Sequence, residues 1–260
     1  LDKTNHNMRP YILSETNYKS SIEKPFDLAV LPWGATEAHN MHLPYGTDNL
    51  ETEKIAAEAG RLAWNAGARI IILPVVPFGV NTGQIDILLD INMSPSTQLA
   101  VLDDIIKVLN HHKINKLLIL NGHGGNEFRA LIRETGYRYP EMYISLCSWY
   151  TVLNEKDYFE NSGEHAGEME TSLILFLAPE LVRPLNEAGK GKEKKHRLAA
   201  FREGWAWAER KWPLVTEDTG IGDPSKATAE KGGRYFADLT KKISLLLIDL
   251  AKADKNDLYQ

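Results

Sequence analysis

Leu28-Ala29-Val30-Leu31-Pro32 runs without a break into Trp33-Gly34-Ala35-Thr36-Glu37-Ala38-His39, and Asp48 follows nine residues after His39. The apolar half reads as a strand buried on both faces, the kind that builds a parallel sheet. The second half sets a carboxylate and an imidazole in the loop at that strand's carboxyl end. α/β proteins gather their chemistry there, because the sheet holds the backbone while the loop aims the side chains.

Apolar runs at 69–76, 116–120 and 142–147 join the first, at 27–32, as expected strands. Stretches of helical periodicity lie between and after them: 50–65, 96–111 with Pro95 near its first turn, 127–139, 165–177 stopped by Pro179, and 235–252. This alternation predicts an α/β fold, a single three-layer α/β/α domain over residues 1–260 with a mainly parallel sheet. The segment 81–93 reads as a hairpin or crossover, and no internal repeat or low-complexity linker divides the chain.

With 260 residues, 43% of them hydrophobic, the chain is long enough for a sizeable core. A formal charge of −5 argues against a general nucleic-acid footprint, and the one basic run, 190–197, reads as a solvated loop. The single cysteine, Cys147, excludes an intrachain disulfide and sits in an apolar stretch, so an inert core thiol in a reducing compartment is expected. Residues 1–7 hold no apolar core of the signal-peptide kind, and no run approaches the roughly 20 residues that span a bilayer. A soluble, cytoplasmic protein is expected.

Two later segments repeat the arrangement of the first. Asn121-Gly122-His123-Gly124-Gly125-Asn126 follows the strand 116–120, and His165-Ala166-Gly167-Glu168-Met169-Glu170-Thr171 opens a helical run. Taken singly, a Glu or His near a strand end is more often a loop residue or half of an ion pair. Three separated segments each offering such groups read as one metal site assembled by the fold. Oxygen and nitrogen donors without cysteine suit Zn²⁺ or Mn²⁺ in a catalytic rather than a structural site. The glycines around His123 allow close backbone approach and positive φ. A phosphate cradle is the alternative there, but the Lys and Ser/Thr that complete one are absent. Asp48 has a competing role as cap of the helix 50–65. His42 is read as a decoy, His111 and His112 as partners of a helix dipole, and Trp205, Trp207, Trp212 and Phe201 as a core or subunit contact, with a substrate lid as the sharper alternative.

Glu-x-His-x8-Asp, then Asn-Gly-His-Gly-Gly-Asn, then His-Ala-Gly-Glu-x-Glu-Thr-Ser, in this order, resembles the creatininase (creatinine amidohydrolase) family, from about Leu31 to the segment 222–232. The resemblance implies a creatininase-like fold and two divalent ions per subunit, Zn and/or Mn, bridged by Asp48 and bound further by Glu37, His39 and His123. Members that act on creatinine carry a glutamate two residues after the equivalent of His123, where this chain has Gly125. Glu170 is the expected replacement. With Glu37, Asp48 and Glu170 ionised, the excess positive charge of two ions favours a bound hydroxide.

His165 is expected to be catalytic, giving and taking the proton of C–N cleavage near neutral pH. On a regular helix it would stand about 140° around the axis from Glu170. Asn126 and Glu168 are expected to support the ligands or touch substrate. Creatinine-cleaving members also carry a tryptophan shortly before the catalytic histidine, where this chain has Asn161-Ser162-Gly163-Glu164. The expected function is therefore a metal-dependent amidohydrolase that uses metal-activated hydroxide on a small amide, lactam or formamide. A peptide-trimming metallohydrolase of the same family, a metal-dependent lyase or isomerase, and a non-catalytic metal-binding scaffold are the alternatives. The expected partners are a small-molecule amide substrate and further copies of the chain in a homo-oligomer, a hexamer by family resemblance, with neither nucleic acid nor membrane.

Overall fold

The computed structural model describes residues 9–161 and 163–259; the reading of residues 1–7 lies outside them. Four parallel strands, β1 (Leu28–Trp33), β2 (Ile70–Ile72), β3 (Lys116–Asn121) and β4 (Tyr143–Ser148), form one sheet in the order β2-β1-β3-β4. The helices are α1 (Tyr18–Ile22), α2 (Thr47–Asn65), α3 (Pro95–His111), α4 (Phe128–Arg138), α5 (Glu168–Leu177), α6 (Ala199–Arg202), α7 (Trp212–Val215) and α8 (Ala229–Lys252).

Side chains alternate across a strand, so each strand feeds two cores. Leu28 and Val30 of β1, with Leu118 and Leu120 of β3, pack against Ile55 of α2, Leu173 of α5 and Tyr235 of α8. Ala29, Leu31 and Trp33, with Leu117 and Ile119, face Leu102 and Ile106 of α3 and Phe128 of α4. This is the three-layer α/β/α arrangement that continuous apolar strands call for. Among the described residues no helix is long and apolar enough to cross a membrane.

The strand order has a functional consequence. From β1 the chain crosses outward to β2, then jumps back over β1 to β3. The loops leaving β1 and β3 therefore diverge, and a crevice opens between their carboxyl ends. Glu37 and His39 leave β1 there, and His123 leaves β3.

Several boundaries differ from the sequence expectation. β2 is confined to Ile70–Ile72: Leu73 N still donates to the Val30 carbonyl, but beyond it pairing with β1 resumes only as a single bridge from Val76 to Trp33. α2 starts at Thr47, which puts Asp48 in its first turn; the helix has no side-chain cap bond, so Asp48 is not the cap. α8 starts at Ala229, where Thr228 caps it through Lys231 N. The segment 81–93 holds a 3₁₀ turn, Thr82–Gln84, and single bridges from Ile91 to Thr36 and from Asn92 to Gly79.

The largest correction falls on 165–177. The helix begins only at Glu168, since His165 is bridged to Ile221 and Ala166 adopts a left-handed φ of 52° that no helix accommodates. The angle derived for His165 and Glu170 on one helix therefore does not apply. Cys147 is half-buried on β4 and its thiol is pushed up to about 11 by burial, as an inert core cysteine requires.

Close approach, not positive φ, explains Gly122, since neither it nor Gly124 nor Gly125 has positive φ. A Cβ at Gly122 would lie 1.8 Å from Thr52 Oγ1 and 2.9 Å from Trp149 Nε1, two atoms already hydrogen-bonded to each other at 3.2 Å. Gly122→Ala should therefore destabilise the fold by about 1–3 kcal/mol, the usual range for overpacking, read as a lower urea midpoint with unchanged slope.

Candidate metal centre

Asp48 stands between two imidazoles. Its Oδ1 lies 2.9 Å from His39 Nε2 and its Oδ2 3.1 Å from His123 Nδ1. Glu37 Oε1 lies 2.9 Å from the same His123 Nδ1 and 3.8 Å from His165 Nδ1. On the other side, Glu170 Oε1 lies 3.9 Å from His39 Nε2. The fold thus brings all six sequence-predicted residues of the centre together, as triads Glu37–Asp48–His123 and His39–Asp48–Glu170 that share Asp48, and a third made of Glu37, His39 and His165. Glu170 completes the triad of His39, so it does not fill the space beside Gly125.

Each imidazole is tied from behind. His39 Nδ1 meets the Glu37 carbonyl at 3.1 Å, His123 Nε2 the Val80 carbonyl at 3.1 Å, and His165 Nε2 the Ala38 carbonyl at 2.8 Å. A carbonyl only accepts, so each of these nitrogens carries the proton, and in the neutral ring the lone pair faces the centre. The carboxylates are held too. Gln84 Nε2 donates to Glu37 Oε2, and Ala166 N donates to Glu170 Oε2. That second bond stabilises the left-handed Ala166 that separates His165 from the helix.

Burial and charge oppose each other throughout the centre. Burial disfavours charge on His39, but Asp48 beside it outweighs this and raises the imidazole to about 10. His123 is likewise raised against its burial by Glu37 and Asp48. Burial pushes Asp48 up, yet His39 and His123 bring its carboxyl below the ordinary range; Glu37 is lowered in the same way, by His123 and then His165. Glu170 stays raised, because burial outweighs the attraction of His39. The cluster therefore calls for buried positive charge. His39 Nε2 and Asp48 Oδ2, both buried, form no hydrogen bond despite their close ionic contacts. An all-nitrogen-and-oxygen donor set with such atoms at its middle fits divalent Zn²⁺ or Mn²⁺.

The remaining expected residues are placed differently. Asn126 accepts from Val80 N and Gln98 Nε2 and donates to the Gly34 carbonyl and Asn121 Oδ1, bracing the two strand ends. Glu168, fully buried, accepts from the N–H groups of Glu160 and Asn161 and from Lys231 Nζ, which fixes the loop before His165. His42 turns away to Thr171 Oγ1 at 2.8 Å, and burial, then repulsion by His39, lowers it to about 4.

The centre opens into a cavity of about 1140 Å³. Its roof is the late segment, whose tryptophans do not cluster. Trp212 is buried and sets its ring edge-on to His165, centroids 5.5 Å apart, whereas Trp207 lines the mouth at 85% exposure and Trp205 is also exposed. The basic run 190–197 is mostly solvated, yet Lys190 and Lys195 reach the cavity wall. Arg210 stacks on Trp212 and pairs with Glu164 at 3.0 Å. Sequence reasoning missed Gln84 and Asp90. Asp90 accepts from Ala38 N at 2.7 Å, and burial, opposed by that bond, raises it to about 6. Both come from a segment without periodicity, so nothing in the sequence marked them.

Comparisons with known proteins bear on this arrangement. A mycofactocin precursor peptide peptidase of Mycobacterium ulcerans (strain Agy99) is 25% identical over 256 residues, 91% of each chain. The creatinine amidohydrolase of Pseudomonas putida is 24% identical over 191 residues, 65% of this chain and 72% of that one. A crystal structure from Bacteroides fragilis NCTC 9343, provisionally named a creatinine amidohydrolase, superposes with a TM-score of 0.90 at 43% identity, over 97% of this chain and 100% of that one. The creatininase family profile, creatinine amidohydrolase, matches residues 13–247, and the chain is a hydrolase that belongs to the creatininase family.

Proposed function

We propose that this hydrolase is a metal-dependent amidohydrolase that cleaves a C–N bond of a small amide, lactam or formamide. The observation that carries the reading is Asp48, one carboxylate shared by two ligand triads. Glu37, Asp48 and His123 would hold one divalent ion, and His39, Asp48 and Glu170 a second, each Zn²⁺ or Mn²⁺. Such ions, when bound, supply Lewis acidity that polarises the amide carbonyl and acidifies water. The protein's own part is orientation and proton transfer. Gln84 and the Ala166 N–H each occupy one oxygen of a ligand carboxylate, leaving the other directed inward. His165 presents Nδ1 to the centre while Nε2 is committed to Ala38, so Nδ1 takes the proton from the attacking water and returns it to the leaving nitrogen as the C–N bond breaks.

Peptide trimming is the second reading. A cavity of about 1140 Å³ exceeds what a small lactam needs and lies at the upper end for ligand sites, which accommodates a peptide segment. Turnover of creatinine, formamides and short peptides, with and without added Zn²⁺ or Mn²⁺, separates the readings; absence of metal-dependent C–N cleavage on all of them would exclude both. The protein is further proposed to be cytoplasmic and a homo-oligomer, a hexamer. Exposed Ile85, Leu88 and Leu89, beside Tyr45, whose hydroxyl donates to the Leu88 carbonyl, support the assembly. Light scattering should give a mass several times 29.3 kDa.

Metal analysis should give close to two ions per chain, and Asp48→Ala should lose both together; saturation at one ion would exclude the shared-ligand arrangement. His165→Ala should keep its metal while turnover falls by about 10²–10⁴-fold, whereas His39→Ala should lose metal. Equal metal loss in the two variants would make His165 a ligand.

A further inference from the structure

Hydrolysis of an amide moves negative charge onto the carbonyl oxygen, and a donor aimed at that oxygen is worth more than one that only binds the ground state. The cavity wall is rich in side-chain donors, but nearly all are committed. Gln84 Nε2 is spent on Glu37 and Gln98 Nε2 on Asn126. Thr82 Oγ1 donates to Glu209 and Trp212 Nε1 to the Thr219 carbonyl, while Arg210 is drawn through Nη1 to Glu164 and Glu193 and lies over the Trp212 ring. The rear nitrogens of the three imidazoles are held by carbonyls. The remaining lysines and Trp207 stand in solvent at the mouth.

Tyr150 is different. It follows β4, is half-buried, and lines the same cavity as Glu37, Asp48, His123, His165 and Glu170. Its hydroxyl oxygen lies 3.4 Å from Asn121 Nδ2, an amide nitrogen that donates to the His123 carbonyl at 2.9 Å and shares its second hydrogen between Ser148 Oγ at 3.3 Å and the phenol, so one side chain touches both the phenol and the loop of a proposed ligand. The phenol donates to no acceptor among the described residues. A hydroxyl whose oxygen already accepts keeps its proton available for a further partner, and its ring is steadied edge-on by Trp149 at 5.8 Å.

We propose that Tyr150 is a catalytic residue of this site, the hydrogen-bond donor to the substrate's carbonyl oxygen as it becomes an oxyanion. The proton stays on the phenol throughout, and no bond to oxygen forms or breaks at Tyr150. The inference rests on the amidohydrolase reading above and adds the group that stabilises its developing charge.

The test is Tyr150→Phe, which keeps the ring and removes only the hydroxyl. On whichever member of the creatinine, formamide and peptide panel the wild type cleaves, kcat should fall by about 10²–10³-fold with KM and metal content unchanged. Affinity for a tetrahedral phosphonamidate analogue of that substrate should fall by a similar factor. A variant within twofold of wild type in kcat overturns the proposal while leaving the amidohydrolase reading intact. Loss of metal in parallel with kcat also overturns it, making Tyr150 a brace for the His123 loop. A wild type that cleaves nothing on the panel sinks both readings together.

Discussion

Charge burial is the constraint on which the structure turns. Glu37, Asp48, His39 and His123 are almost wholly excluded from water, each within about 3 Å of an opposite partner. An isolated buried charge is prohibitively costly, so none of these side chains is tolerable without the others. Each becomes an element of one cooperative unit, and removing one leaves its partner exposed to the full penalty.

The sheet makes that unit possible. Because β1 and β3 are adjacent and parallel while their onward connections diverge, two loops can converge on one crevice without either being stretched. α2 then delivers Asp48 in its first turn, where the helix N-terminus also favours a carboxylate. α5 delivers Glu170 in the same way. Glu51, one turn beyond Asp48, is fully buried with neither carboxylate oxygen bonded. Burial, with Glu170 and Asp48 nearby, raises it well above the ordinary range. Its ionised form is thus disfavoured beside Asp48 and Glu170.

Much of this was legible in the sequence because the signals are local. Continuous apolar runs marked the strands, and short spacings in three segments marked the six histidines and carboxylates that meet in the centre. What escaped depends on contacts between distant segments. His165 looked helical because 165–177 has helical character throughout, yet its backbone pairs with Ile221, more than fifty residues away. The late tryptophans looked like one aromatic group, but Trp212 turns inward to His165 while Trp205 and Trp207 face solvent. An aromatic neighbour for His165, absent from the residues just before it, comes instead from Trp212 in the late segment. Gln84 and Asp90 lie in a segment whose conformation is set by what it touches.

The departure at Gly125 becomes intelligible on the same terms. A side chain there would start 2.3 Å from the Val80 carbonyl and 2.5 Å from His123 Nε2, the two atoms whose contact fixes the His123 ring. A glutamate at 125 and this tether of His123 are therefore mutually exclusive on this backbone. The chain keeps the tether, and its third carboxylate stands across Asp48 on the His39 side. Glycine at 125 is thus a positive requirement: it leaves room for the carbonyl that sets which nitrogen of His123 faces the centre.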